Sequence, residues 1–317
     1  HLQRRASAGY KTRHWNYSVA AQDYQVITQG LDEQYWLLPQ ISADGYYRWS
    51  NSLVVDLKNR HSVFNHSDKR FVTGSRSSID YGISWDKRWS WGYFKPQFRA
   101  RHLSYSLDAG QQSRLLDSDP SVSVPVYSID TGIFLERNSG WLNNYKQYFA
   151  PRLFYVRADY KDQSNLPDFD TREFTPSYDL LFRENRFNGG DRISDENRLT
   201  LAFTTLYIDQ STGQERFRAR VAQSIYYDDR RVTLAADPSM EELDELSRNQ
   251  SPLSIEWAAR ISKDWRITSD VIYDNHDNEL EKSSLGVRYN NGQNQLLNFT
   301  YRYTRRTPRL VSGMDLD

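Results

Sequence analysis

The 317-residue chain carries 41 Lys+Arg against 41 Asp+Glu, and this formal neutrality excludes a protein steered to nucleic acid mainly by its overall charge. Mean hydropathy is strongly polar at −0.81, yet 14% of residues are aromatic, a pairing that suits a sheet with one wetted face and one aromatic-rich apolar face. There is no cysteine, which removes disulfides and thiolate metal sites from this span, and no apolar run reaches the roughly 18 residues of a membrane-crossing helix, which leaves a membrane barrel open.

The chain opens at His1 with no signal peptide and reads as a mature or excised segment. Period-2 alternation then recurs along nearly its whole length, and about fourteen strands are expected. The earlier ones lie near Gln3 to Lys11, Trp15 to Thr28, Gln34 to Ala43, Ser52 to Asn65, Gly74 to Trp85, Trp91 to Leu107, Val124 to Glu136 and Tyr145 to Tyr160. The last six alternate more cleanly, for example Leu297, Phe299, Tyr301 and Tyr303 against Asn298, Thr300 and Arg302. Successive side chains point to opposite faces of a strand, so each of these strands has one apolar and one charged face. Pro39, Pro96 and Pro151 share the phase of their apolar neighbours inside strands; each lacks a ladder donor and predicts a local break or bulge.

The connections alternate in length. "KTRH", "DKRWS", "NSGWLNN", "DQSTGQ", "SKDW" and "NNGQNQ" are short, with "ADGYYRWSN" a little longer. "NHSDKRF", "DAGQQSRLLDSDPS", the segment from Lys161 to Glu196 and "DDRRVTLAADPSMEELDELSRNQS" form the other, longer set. Short turns at one end and long loops at the other are the pattern of up-and-down outer-membrane barrels; a Greek-key sandwich need not keep it. Trp15, Trp49, Trp89, Trp141 and Trp265 lie in or beside short turns, and Trp85 and Trp91 flank one. Indole rings favour the headgroup–hydrocarbon boundary, so they read as one aromatic girdle, although Trp also packs at hairpin ends of soluble β proteins. One helix is expected in "DPSMEELDEL", capped by Ser239 with Glu242, with Met240, Leu243 and Leu246 on one face; its acidic residues read as a solvated face rather than a divalent-cation site.

No catalytic constellation emerges. His1, His14, His61, His66, His102 and His276 have no metal-ligand spacing within one element, and neither a nucleophile elbow nor a phosphate-binding loop occurs. No enzyme, cofactor or metal is expected. The charged strand faces are a better lead. Arg216, Arg218 and Arg220 form a period-2 ladder, and Arg198, Arg260, Arg266, Arg288 and Arg302 lie on polar faces of neighbouring strands with Glu256 and Asp270. As a lumen lining they would attract phosphates, which Arg binds bidentately; the alternative is cross-strand pairing with Glu256, Asp270 and Asp274. A second candidate is the stretch "LFRENRFNGGDRISDENRLT". Arg183, Asn185, Arg186, Phe187, Gly189, Gly190, Asp191 and Arg192 read as a sharply folded loop. In this reading Arg183, Arg186 and Arg192 pair with Glu184, Asp191 and Asp195, while Phe182 and Phe187 anchor it, and the paired glycines permit positive φ and close backbone approach.

"YFAPRLFYVRADYKDQSNLPDFDT", "FTPSYDLLFRENRFNGGDRISDENRLTLAFTTLYI" and, more weakly, "ERFRARVAQSIYY" and "LGVRYNNGQNQLLNFTYRY" resemble the C-terminal barrel of the lipopolysaccharide-assembly outer-membrane family LptD, also called OstA. The resemblance is densest from Tyr148 to Tyr227. It implies an all-β, antiparallel up-and-down transmembrane barrel in a Gram-negative outer membrane, of which residues 1–317 are one segment without the periplasmic jellyroll, the closing strands or the family's cysteine pair. It also implies lipopolysaccharide as substrate, an LptE-like plug lipoprotein and periplasmic bridge proteins as partners, a lateral gate, outer-membrane lipid around the wall, and no nucleic acid. The eight loop residues would then meet the plug. A diffusion porin or ligand-gated transporter is the alternative within the same architecture, and a soluble β-sandwich binding module the alternative outside it.

Overall fold

A computed structural model describes residues 2–25, 34–50, 52–108, 117–138, 144–235 and 238–305. Trp141 and the expected strand end at residues 26–28 lie outside them. The strands are β1 (Leu2–Lys11), β2 (Trp15–Gln25), β3 (Trp36–Trp49), β4 (Leu53–Asn65), β5 (Gly74–Trp85), β6 (Lys87–Trp89), β7 (Gly92–Leu107) and β8 (Ser121–Ile133). They continue as β9 (Leu135–Asn138), β10 (Tyr145–Ala158), β11 (Glu196–Asp209), β12 (Glu215–Tyr226), β13 (Leu253–Arg260), β14 (Trp265–Asp274), β15 (Glu279–Asn290) and β16 (Leu296–Thr304). All belong to one 16-stranded sheet in which successive strands are neighbours, with β6 and β9 as short continuations of β5 and β8 alongside β7 and β10. Every pairing is antiparallel. This serial order has none of the crossovers of a Greek-key sandwich.

The two short strands account for two of the in-strand prolines. Partner pairing to β7 passes from Ser84↔Gln97 to Lys87↔Phe94, leaving Pro96 in the gap on that side. Pairing to β10 passes from Phe149↔Leu135 to Arg152↔Gly132, leaving Pro151 in the corresponding gap. Pro39 falls where the β3–β4 register shifts between Leu37 and Gln40. Each proline therefore sits where a ladder bond is already absent, as its missing N–H requires. The β3–β4 connection differs from expectation. Tyr46, Tyr47, Arg48 and Trp49 pair with Asp56, Val55, Val54 and Leu53, so "YYRW" is strand, and Ser50 follows it at φ 57°.

The alternation sorts residues onto two faces. On β5, Ile79, Tyr81, Ile83 and Trp85 are exposed on one face, while Arg76 and Ser84 are buried on the other. Leu201 and Phe203 on β11, and Leu297, Phe299, Tyr301 and Tyr303 on β16, are likewise exposed. Such a band of exposed apolar side chains suits contact with hydrocarbon. The opposite, inner face carries residues 159–195, the long β10–β11 connection. Its main core joins Phe64, Leu103, Tyr105, Val122, Val124, Val126, Phe154 and Val156 from the strands to Leu166, Phe169 and Ile193 from that connection. Helix α1 (Met240–Ser247) forms in the β12–β13 loop, with the Ser239 hydroxyl accepting from the Glu242 N–H at 3.2 Å. Of its apolar residues Leu246 is buried, whereas Met240 and Leu243 are exposed rather than sharing a covered face.

Candidate functional site: a loop anchored across the inner face

The connection begins as irregular backbone and includes one 3-10 turn, Tyr178–Phe182, with the Ser177 side chain accepting from the Leu180 N–H. It holds its shape by self-bonding. The Gln163 side chain accepts from the Ile193 N–H at 2.9 Å and donates to the Ile193 carbonyl at 2.8 Å, tying its two ends. Asn185 does the same for the tip, donating to the Arg192 carbonyl at 3.1 Å and accepting from the Ser194 N–H at 2.9 Å.

Its carboxylates reach for the wall. Asp191 is fully buried; its Oδ1 lies 2.6 Å from Arg76 Nη1 on β5 and accepts from the Tyr105 hydroxyl on β7 at 3.0 Å. Its Oδ2 accepts from the Phe169 and Asp170 N–H groups and the Thr171 hydroxyl at 2.9–3.0 Å. Arg76 also donates to Asp170 at 2.7 Å. Burial opposes ionisation of Asp191, but the Arg76 charge and these hydrogen bonds outweigh it and hold the carboxyl below the usual range. Glu184 is a second node: it accepts from Gln97 on β7 and Ser128 on β8 and lies 3.1 and 3.0 Å from Arg99 and Arg101. Arg99 in turn bonds Asp56 on β4 at 2.7 Å.

Two glycines permit the approach. Gly189 has φ +74°, and a Cβ there would lie 2.3 Å from the Asp170 carbonyl oxygen; a Cβ on Gly190 would lie 2.7 Å from the Arg76 guanidinium. Aromatic contacts complete the seat. Phe169 stacks on Phe64 of β4 with centroids 4.3 Å apart, and the Arg152 guanidinium sits 3.7 Å above Phe182.

The pairings within the expected loop differ from the sequence reading. Arg186 does pair with Asp195, at 3.2 Å. Arg183 instead lies over the Phe174 ring, and Arg192 donates to the carbonyls of Leu166, Pro167 and Thr233. Glu184 and Asp191 are taken by Arg99, Arg101 and Arg76, which their strands present on the inner face. Phe187 is buried.

The ten expected lining residues are placed in two ways. Arg198 is buried beneath the loop, bonding the Leu181 and Arg183 carbonyls and Glu196, so it does not line open space. Register aligns Arg220, Glu256 and Asp270 in one inner row, with Arg220 paired to Glu256 and Asp270 accepting from Ser284. Arg302 faces that same Ser284 from β16. Arg260, Arg266 and Arg288 form another row, next to the short turns. Arg216 and Arg218 border that row and pair with Asp209 and Glu215. Asp274 pairs with Arg248 of the long loop rather than with a strand arginine. The wall residues Arg76, Arg99, Arg101 and Tyr105 escaped sequence reasoning; a charged residue in phase with otherwise small inner-face residues of β5 was the available signal.

One serial antiparallel sheet, apolar on its outer face and carrying its own long loop on the inner one, defines the wall of an up-and-down transmembrane β-barrel. Residues 1–312 match the family model described as LptD: LPS transport system D. The chain belongs to the LptD family. Similar curated proteins named LPS-assembly protein LptD come from Chromohalobacter salexigens (31% identical, 95% of this chain and 41% of that one) and Hahella chejuensis (32%, 96% and 38%). A third, from Saccharophagus degradans, is 32% identical over 96% of this chain and 36% of its own length. The chain thus spans about two fifths of the length of these relatives. Among solved structures, a ferric enterobactin receptor (PfeA) mutant from Pseudomonas aeruginosa aligns over 95% of this chain and 50% of its own, at 9% identity and a TM-score of 0.39.

Proposed function

We propose that the chain is one barrel-wall segment of an outer-membrane translocon that inserts lipopolysaccharide into the outer leaflet. Family membership supports lipopolysaccharide assembly at the outer membrane. The observation that carries the finer reading is the seating of residues 159–195 on the inner face through Asp191 and Glu184. A wide lumen leaks unless filled, and a loop fastened to several strands fills part of it and presents a fixed surface to a plug. In this reading the surface around Arg183 to Arg192 meets an LptE-like lipoprotein inside the barrel. The charged inner face receives the sugar and phosphate groups of the lipid. The exposed outer face matches acyl chains, which leave through a lateral gate, and periplasmic bridge proteins deliver the lipid. No chemistry on the lipid is required.

Photocrosslinkers at the exposed loop positions 183 and 188 of the full-length protein in cells test this. Capture of a lumenal lipoprotein is expected; free ion conductance with no captured partner would instead identify a diffusion pore.

A further inference from the structure

Arg260 of β13, Arg266 of β14 and Arg288 of β15 are direct cross-strand neighbours, three cations in one inner-face row. Like charges directly opposite each other destabilise a sheet. Elsewhere on this face the buried or half-buried arginines Arg76, Arg99, Arg152, Arg198 and Arg220 each meet a carboxylate. Among the described residues, Arg266 and Arg288 meet none, and Arg260 meets only the Gln214 side chain at 3.3 Å. The row borders a cleft of about 270 Å³ lined by Glu215, Arg216, Arg218, Ala258, Arg260 and Arg266. The one carboxylate in its lining is already engaged, Glu215 with Arg218 at 3.5 Å, and Arg216 pairs with Asp209 at 3.2 Å. Arg216 Nε is shielded from solvent at this cleft and has no hydrogen-bond acceptor. The neighbouring inner positions are small, Ala258, Thr268 and Gly286, which leaves room above the row.

We infer that this row is a binding station for the phosphate groups of an anionic glycolipid headgroup, at the short-turn rim of the inner face. Guanidinium forks take phosphate oxygens bidentately, and a shared polyanion converts three mutually repelling cations into one favourable cluster. The inference rests on the lipopolysaccharide reading above and gives it an entry point on this wall.

The test uses the full-length protein with its partner, reconstituted in phosphatidylcholine vesicles and titrated with lipopolysaccharide and with its dephosphorylated form. The wild type is expected to bind the phosphorylated form about tenfold or more tightly, the scale of one to two charge-assisted hydrogen bonds. The Arg260→Gln/Arg266→Gln/Arg288→Gln variant is expected to lose that preference, and the corresponding triple Lys variant to keep part of it. Single Arg266→Gln and Arg288→Gln changes, at exposed side chains, carry the same comparison if the triple variant does not assemble. An unchanged preference in these variants overturns the station while leaving the transport reading intact. Saturation by inorganic phosphate as tight as by the glycolipid makes free phosphate the ligand and overturns the glycolipid assignment. Crosslinking of Arg288-position probes to an acidic protein segment, independent of lipid phosphate, also overturns it. Failure of the wild type to bind either lipid form overturns both readings.

Discussion

Asp191 Oδ1 and Arg76 Nη1 meet at 2.6 Å across 115 positions of sequence, both side chains almost wholly removed from water. The pair joins the tip of the β10–β11 connection to β5, four places along the sheet path from β11.

In Asp191→Asn, Arg76 keeps Asp170 but loses its buried partner. The variant is therefore expected to destabilise the seated loop by about 1.5–3 kcal/mol, the scale of a hydrogen bond to a charged group. Limited proteolysis of the full-length protein in detergent reads this out: cleavage within residues 159–195 should appear in the variant while the strands stay protected. Unchanged resistance would mean that the Glu184 node and the aromatic contacts hold the loop without this pair.

The same group sets a pH response. The folded-state value of Asp191 is depressed, so its contribution is present above the unfolded carboxylate value of about 4 and is lost only as pH falls through the lower folded value. Loop protection against hydrogen exchange should stay level from pH 8 to about 4.5 as far as this carboxylate governs it, then fall in more acidic solution. In Asp191→Asn that acid limb should shrink.

Gly189 and Gly213 have nearly the same backbone, φ +74° and +69°, but different surroundings. Ala at Gly213 meets nothing within 4 Å and should cost only the conformational strain, about 1 kcal/mol. Ala at Gly189 adds a clash with the Asp170 carbonyl and should cost several times more. Gly189→Val with Gly190→Val should abolish partner capture by the loop in cells. Equal behaviour of the Gly189→Ala and Gly213→Ala variants in urea unfolding would remove the tight seat from the account.

Trp85, Trp91 and Trp265 are exposed at the short-turn ends of their strands. With single-Trp variants in vesicles, lipids brominated near the headgroup should quench these residues more than lipids brominated near the chain ends. The reverse order would place the girdle at the wrong depth.

Much of the sheet was legible because its determinant is local. Alternation in "LLNFTYRY" specifies a strand and its two faces without any partner. Pro96 and Pro151 announced interruptions for an equally local reason, the missing donor. The strand around Tyr46 to Trp49 was misjudged because Gly45 and three consecutive aromatic or basic residues blur the period; its pairing to β4 decided the matter. Ion-pair partners were the least legible. Glu184 has Arg183 and Arg186 beside it in sequence, but Arg99 and Arg101 reach it from β7, and nothing local encodes that they do. Arg198 looked like the other polar-face arginines, yet only the loop's path puts it under cover.

The Arg76–Asp191 contact also proofreads assembly. A strand shifted by one residue turns every side chain to the other face, so a slipped β5 would send Arg76 into the hydrocarbon side and leave Asp191 without its cation. The seated loop is compatible only with correctly aligned β5, β7, β10 and β11, which makes the contact a built-in inspection of the finished wall.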